Sequence, residues 1–298
     1  MTVFFVSRHT LAADFAPLHR IKTLQPRIAD DFAVNASASL GIAKLARLGR
    51  ISATSAMVLS PRWAQDVVLL HDLRGQIDVG LHLDWTSEFA LAAGHGLPLG
   101  STMRRSLLGG FDQAQARRVI ERQLDLFEAQ WQAPPDYVDG HQHVQQFAGI
   151  RQALVSVLVR RYGGLVVKPY LRISRPAPGA AALKGRVIAW MGANALEKIA
   201  ISSEIKRATA LLGIYNFTGS SADYAALMAR WLAQAPAGSI IMCHPAQACE
   251  PGDEIGTARL QEFAYLSGPE FAQVLDSAAV KPTRGQAALR QSTESARK

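Results

Sequence analysis

The stretch Tyr137-Val138-Asp139-Gly140-His141-Gln142-His143-Val144 places an acid and two histidines, two apart, directly after apolar residues. Neutral imidazole binds divalent cations, and a His-x-His pair at a strand end can be joined by ligands from neighbouring strand ends. Three other groups share this character. Asp30-Asp31 closes the apolar run 24–29, His82 lies on the polar phase of the alternating run 77–84, and His244 sits between the apolar run 239–243 and Pro245. Carboxylate and imidazole together can hold a cation that activates water, or can move protons directly. Each group also has a plain structural reading. Asp30-Asp31 could be a helix N-cap pair, His82 a satisfied core histidine, His141 and His143 polar loop residues, and His244 a turn marker. Asp139 could serve as the acceptor that orients an imidazole.

The elements that must position these residues alternate between strand and helix. Residues 37–48 have a helical apolar pattern ended by Gly49, and 51–59 are β-branched and extended. Ile77, Val79, Leu81 and Leu83 alternate with polar residues, as in a strand. Asp112 can cap a helix with Ile120, Leu124, Phe127 and Trp131 on one face, which Pro134-Pro135 ends. A second helix over 150–161 stops at Gly163-Gly164, and 165–167 and 171–174 read as extended. Residues 187–212 read as mostly helical, 214–217 as a strand, 224–232 as a helix, 239–243 as a buried strand and 271–279 as a last helix. About seven strands, each followed by a helix, predict an α/β fold: a (β/α) barrel, incomplete or distorted. An open doubly wound sheet is the alternative, but there is no Gly-x-Gly-x-x-Gly after the first strand and no P-loop. A barrel would carry the four polar groups to one rim. Arg172, at the end of an extended run, could orient Asp30, bind substrate or lie on the surface. Asp84, Trp85 and Thr86, after His82, are candidates to shape a pocket.

Composition narrows the function classes. The chain has 298 residues, 49% of them hydrophobic and 19% charged, a globular profile with length for a sizeable core. The net charge of +8 sits mostly at the ends, with Arg8, Arg20, Lys22 and Arg27 against Asp14, and Lys281, Arg284, Arg290, Arg297 and Lys298 against Glu294. A nucleic-acid binder more often carries its positive charge on the folded surface, so no nucleic-acid partner is expected. Peripheral contact of the basic ends with an anionic membrane stays open, as does a homodimer. No apolar run is long enough for a transmembrane helix, and the N-terminus does not read as a secretory signal. Two cysteines, Cys243 and Cys249, form no disulfide framework and fit a reducing cytoplasm. The expected organisation is a loose extension over 1–23, one barrel domain over 24–282 and a disordered basic tail over 283–298.

The runs Ile28-Ala29-Asp30-Asp31-Phe32, Gly80-Leu81-His82-Leu83, Asp139-Gly140-His141-Gln142-His143 and Met242-Cys243-His244-Pro245 resemble the signatures of the YdjC-like carbohydrate deacetylases. That family includes chitooligosaccharide deacetylases and a branch associated with hopanoid biosynthesis. The resemblance covers roughly residues 26–280, with the four motifs in order. It implies an incomplete (β/α) barrel, one divalent metal ion and hydrolysis of an N-acetyl group from an amino sugar or glycolipid. It also implies Asp31, His82 and His141 as metal ligands, Asp30 as general base and His244 as general acid; Asp139 and His143 are candidates to support these groups or to bind substrate. Ala33, Ile28 and Gln145 stand where many members have glycine, asparagine and histidine, and such positions shape the sugar pocket. Two imidazoles and a carboxylate favour zinc, with Fe2+ and Mg2+ as competitors. The competing functions are an inactive metal-binding scaffold of the same fold and a non-haem iron(II) enzyme.

Overall fold

The computed structural model describes residues 27–177, 183–277, 283–286 and 289. Among the described residues, seven strands lie in one sheet: β1 (Arg27–Phe32), β2 (Ala53–Ala56), β3 (Asp78–Leu83), β4 (Tyr137–Gly140), β5 (Tyr170–Leu171), β6 (Ala210–Leu212) and β7 (Ser239–Cys243). The order is β5-β4-β3-β2-β1-β7-β6, and every neighbouring pair is parallel. Helical crossovers cover the outside of the sheet, as parallel strands require. Two isolated parallel bridges, Leu171 to Arg207 and Pro176 to Leu211, span the seam between β5 and β6. The result is a seven-stranded, curled (β/α) barrel with an incomplete seam.

Period-2 alternation sorts the strand residues. Ala29, Val79, Leu81, Val138, Leu171, Ile241 and Cys243 join the larger core shared with the helices. Ile28, Ala53, Tyr137, Tyr170, Leu211, Ile240 and Met242 fill the barrel interior. Gly80 is needed in this layer, since a Cβ there would lie 2.6 Å from the Tyr137 ring. The Tyr137 ring stacks on Tyr170 at 5.1 Å between centroids. Two residues above Ile28, Ala53, Gly80, Tyr137, Tyr170 and Met242 come Asp30, Ser55, His82, Asp139, Arg172 and His244. The same parity therefore aims all six towards the C-terminal mouth of the barrel, where (β/α) barrels place their chemistry.

The opposite end is closed by the chain's own C-terminal segment. Arg284 Nε donates to Asp78 Oδ1 at 2.7 Å, and the Gly285 amide donates to Asp78 Oδ2 at 2.6 Å. Gln286 donates to the Lys168 carbonyl at 2.6 Å, and Leu289 is buried in the interior cluster. The free basic tail expected from residue 283 is thus corrected at its start, because the buried Asp78 carboxylate recruits Arg284. The extension expected over 1–23 lies outside the described residues. Other local readings also change. Residues 165–167 are exposed loop and bend rather than strand, with Val166 fully open to solvent. The strand expected over 214–217 is Ala210–Leu212 instead, because the helical region stops at Ser202. No described helix is long and apolar enough to cross a membrane.

Candidate metal and catalytic site

Asp30 and Asp31 are consecutive, so a regular strand would point them to opposite faces. They line the same cavity because β1 shifts register between Ala29 and Phe32, and Asp31 takes a left-handed backbone with φ 65°. Such a conformation costs a non-glycine residue on the order of 1–2 kcal/mol, which marks the bulge as a built feature. Ala33 repeats it at φ 71°, and here a glycine would be unstrained. The next turn is secured by Asn35, whose side chain caps the helix Ala36–Arg47.

Asp31 Oδ1 lies 3.3 Å from His82 Nε2 and 3.2 Å from His141 Nδ1. One ligand atom from each of Asp31, His82 and His141 falls within 4.8 Å of the others. His82 Nδ1 lies 2.6 Å from Asp139 Oδ1 and 3.1 Å from Ser55 Oγ. With its proton on Nδ1, His82 presents the Nε2 lone pair to Asp31 and His141, the carboxylate–histidine arrangement of metal sites. Asp30, His82 and Asp139 form a second close group. Its cation position is already taken by Arg172, whose Nη1 lies 2.6 Å from Asp30 Oδ1 and 2.9 Å from Asp139 Oδ2. The set Asp31, His82 and His141 is therefore the one whose donors fit a divalent ion.

Electrostatics agree with this choice. Burial disfavours a charged His82, yet the Asp139 and Asp30 carboxylates outweigh it and push the pKa up to about 10. The cluster thus holds more negative charge than its arginines neutralise, and a proton on His82 or a cation would relieve it. Burial opposes ionisation of Asp31, but Arg259, His141 and His82 hold its carboxyl well below the usual range. Asp30 is also lowered, with Arg172, His82 and His244 outweighing its burial. Burial lowers His244 to about 4 despite Asp30 and Asp31 nearby.

Asp30, Asp31, His82, His141, His143 and His244 all line one cavity of about 730 Å³ at the barrel mouth. His244 Nε2 lies 3.8 Å from Asp30 Oδ2, across the rim from the histidine pair. His143 shares a 2.9 Å hydrogen bond with Ser174 Oγ, and burial lowers its pKa to about 3. Arg172 is fully buried, so the surface reading fails for it. Gln145 is buried behind the site and donates to the Arg172 carbonyl and to Ser174 Oγ. Trp85 is not brought to the cavity. It packs edge-on against His95 and Phe111, while Thr86, Ser87, Glu88 and Phe89 line the wall. Asp84 closes that loop by accepting from the Thr86 and Ser87 amides. Arg259 and Glu262 were not legible as site residues in the sequence, since both sit inside the helix Gly256–Ser267. Their mutual spacing within an otherwise apolar face was the available signal.

A sequence profile described as YdjC-like protein matches residues 28–277. The chain belongs to the YdjC-like family. Over 133 residues this YdjC-like chain is 30% identical to the chitooligosaccharide deacetylase of Proteus mirabilis (strain HI4320). That alignment covers 41% of this chain, which spans only about half, 50%, of the curated relative. The fold is similar to a solved structure from Enterococcus faecalis V583 described as a cellobiose-phosphate cleavage protein, with TM-score 0.67 at 15% identity. The superposition covers 89% of the YdjC-like chain and 98% of the other, and at that identity it concerns fold alone.

Proposed function

We propose that this chain is a metal-dependent hydrolase that removes the N-acetyl group of an amino sugar, borne on a chitooligosaccharide-like chain or on a glycolipid. The observation that carries this reading is the meeting of Asp31, His82 and His141 beside Asp30 and His244 in one cavity. Two imidazoles and a carboxylate suit Zn2+ best, with Fe2+ or Mg2+ as the competing occupants. A bound divalent ion would lower the pKa of water and polarise the acetamide carbonyl.

The chain's own residues supply the proton chemistry. Asp30, kept ionised and oriented by Arg172, takes a proton from the attacking water through Oδ2. His244 gives a proton to the departing amine nitrogen as the C–N bond breaks and acetate leaves. Its low pKa leaves it neutral in the resting site, so that proton arrives during turnover. Asp30 Oδ2, 3.8 Å from Nε2, is placed to pass it across. Arg172 and Asp139 do not reach substrate; they fix Asp30 and His82.

The cavity wall supports the glycolipid form of the substrate. Phe89, Leu99, Met103, Phe147, Ile188 and Met191 offer apolar surface beside the polar floor. An N-acetylglucosamine unit alone would leave such a wall without a partner. The test is acetate release by zinc-, iron(II)- or magnesium-loaded protein from N-acetylglucosamine, its oligomers and N-acetylglucosaminyl lipids. Release from at least one class, abolished by Asp30→Asn, is expected. No release from any of them by metal-loaded protein would overturn the activity.

A further inference from the structure

Arg259 is a buried cation that the proposed reaction does not use, and it touches two parts of the site at once. Its Nη2 donates to Asp31 Oδ2 at 2.7 Å, and its Nη1 lies 3.4 Å from the carbonyl of His244. Its Nε lies 2.8 Å from Asp253 Oδ2. Asp253 in turn accepts from Asn35 Nδ2 at 3.3 Å. Asn35 is the helix cap four residues after Asp31, so the contacts close a ring: Asp31, Arg259, Asp253, Asn35 and back along the chain. Arg259 is only 4% exposed, so water has little access to these contacts.

The consequence falls on the geometry of Asp31. A free carboxylate can offer one oxygen or both to a cation. Here Oδ2 is held by Arg259, and Oδ1 alone faces His82 Nε2 and His141 Nδ1. Arginine, with its planar fork, suits this task, and lysine would hold only one point. The positive charge beside Oδ2 also weakens Asp31 as a donor, so a cation bound there would be the stronger Lewis acid.

We propose that Arg259 is a positioning residue that restricts Asp31 to one oxygen towards the metal and ties that ligand to the segment carrying His244. The inference rests on the deacetylase reading and deepens it. Glu262 gives the same segment a second anchor, since its Oε2 accepts from the His244 amide at 2.5 Å and its Oε1 from Tyr215 at 2.6 Å.

The test uses the full chain loaded with Co2+, whose visible d–d absorption weakens as the coordination number rises. In Arg259→Met, Asp31 is released to offer both oxygens. The expected result is a d–d band of lower intensity, with kcat for acetate release down at least about tenfold and KM within about twofold of the parent. Arg259→Lys should recover part of the loss. Should Arg259→Met fail to fold, Asp253→Asn loosens the Nε anchor without touching a ligand and should move band and kcat in the same direction, by less. An unchanged cobalt spectrum and unchanged kcat in a folded variant would overturn the inference while leaving the deacetylase reading intact. A wild-type protein that takes up no Co2+ would remove both.

Discussion

His82 Nδ1 lies 2.6 Å from Asp139 Oδ1, and both groups are shut away from solvent. The contact commits one imidazole nitrogen to a carboxylate and leaves the other to face Asp31. Replacing the acceptor by Asp139→Asn keeps the shape but weakens the orientation and basicity of the ring. Metal affinity should fall about 10–100-fold, the usual cost of losing such a partner. Isothermal titration of the apo-protein with Zn2+ measures it directly, and an affinity within twofold of wild type would show that Asp139 does not orient His82 for the metal.

Arg172 stands between two buried carboxylates, Asp30 and Asp139. Arg172→Met removes the cation and strands both acids. Breaking a buried ion pair in this way costs about 3–5 kcal/mol. The midpoint of urea unfolding should drop accordingly, and acetate release should be lost even in conditions where the variant stays folded.

Two buried acids, Asp136 at the lower end of the barrel and Glu262 beside the mouth, make an independent prediction. Burial and the neighbouring Asp78 raise Asp136 to about 6, despite Arg284 alongside. Burial likewise raises Glu262 to about 7, with the Tyr215 and His244 hydrogen bonds opposing. Both acids hold a proton more tightly folded than unfolded, so between about pH 4 and 7 the native state binds the extra protons. Their contribution to stability is full below the unfolded pKa and declines as pH rises through the folded values. Thermal melts should show this decline, and Asp136→Asn and Glu262→Gln should each flatten part of it. A steeper rise of stability with pH across the same window would contradict the assignment.

Gly80 faces the Tyr137 ring so closely that Gly80→Ala must displace it. Overpacking of this kind typically costs about 1–3 kcal/mol. The displaced ring lies directly below the site, so differential scanning calorimetry should show a lower Tm and metal titration a weaker affinity. Gly75→Ala, with nothing near its Cβ but a φ of 79°, should destabilise through backbone strain alone and leave metal binding unchanged.

The (β/α) alternation was legible because its apolar runs are short, regular and punctuated by glycine and proline. The candidate site was legible for a related reason: in a parallel barrel every strand ends at the same mouth, so Asp30, His82, Asp139 and His244 needed only their positions at strand ends. What escaped depended on local backbone and on helix interiors. Nothing in the residue pattern announced the left-handed turn at Asp31 that sends two consecutive acids into one cavity. Arg259 and Glu262 lie among apolar helix residues, where charge usually marks the solvent side. Trp85 looked like pocket wall from its place after His82, but the loop held by Asp84 turns it inward. The strand Ala210–Leu212 was hidden by its short length beside a helical stretch.

The central claim is that Asp31, His82 and His141 hold one cation between them. The decisive measurement is the metal-to-chain ratio after loading with Zn2+ and removal of free ion. The account predicts about one ion per chain in the wild type and in Asp30→Asn, and close to none in folded His82→Ala or Asp31→Ala. A wild-type ratio near zero, or a ratio unchanged when either ligand is removed, would contradict it.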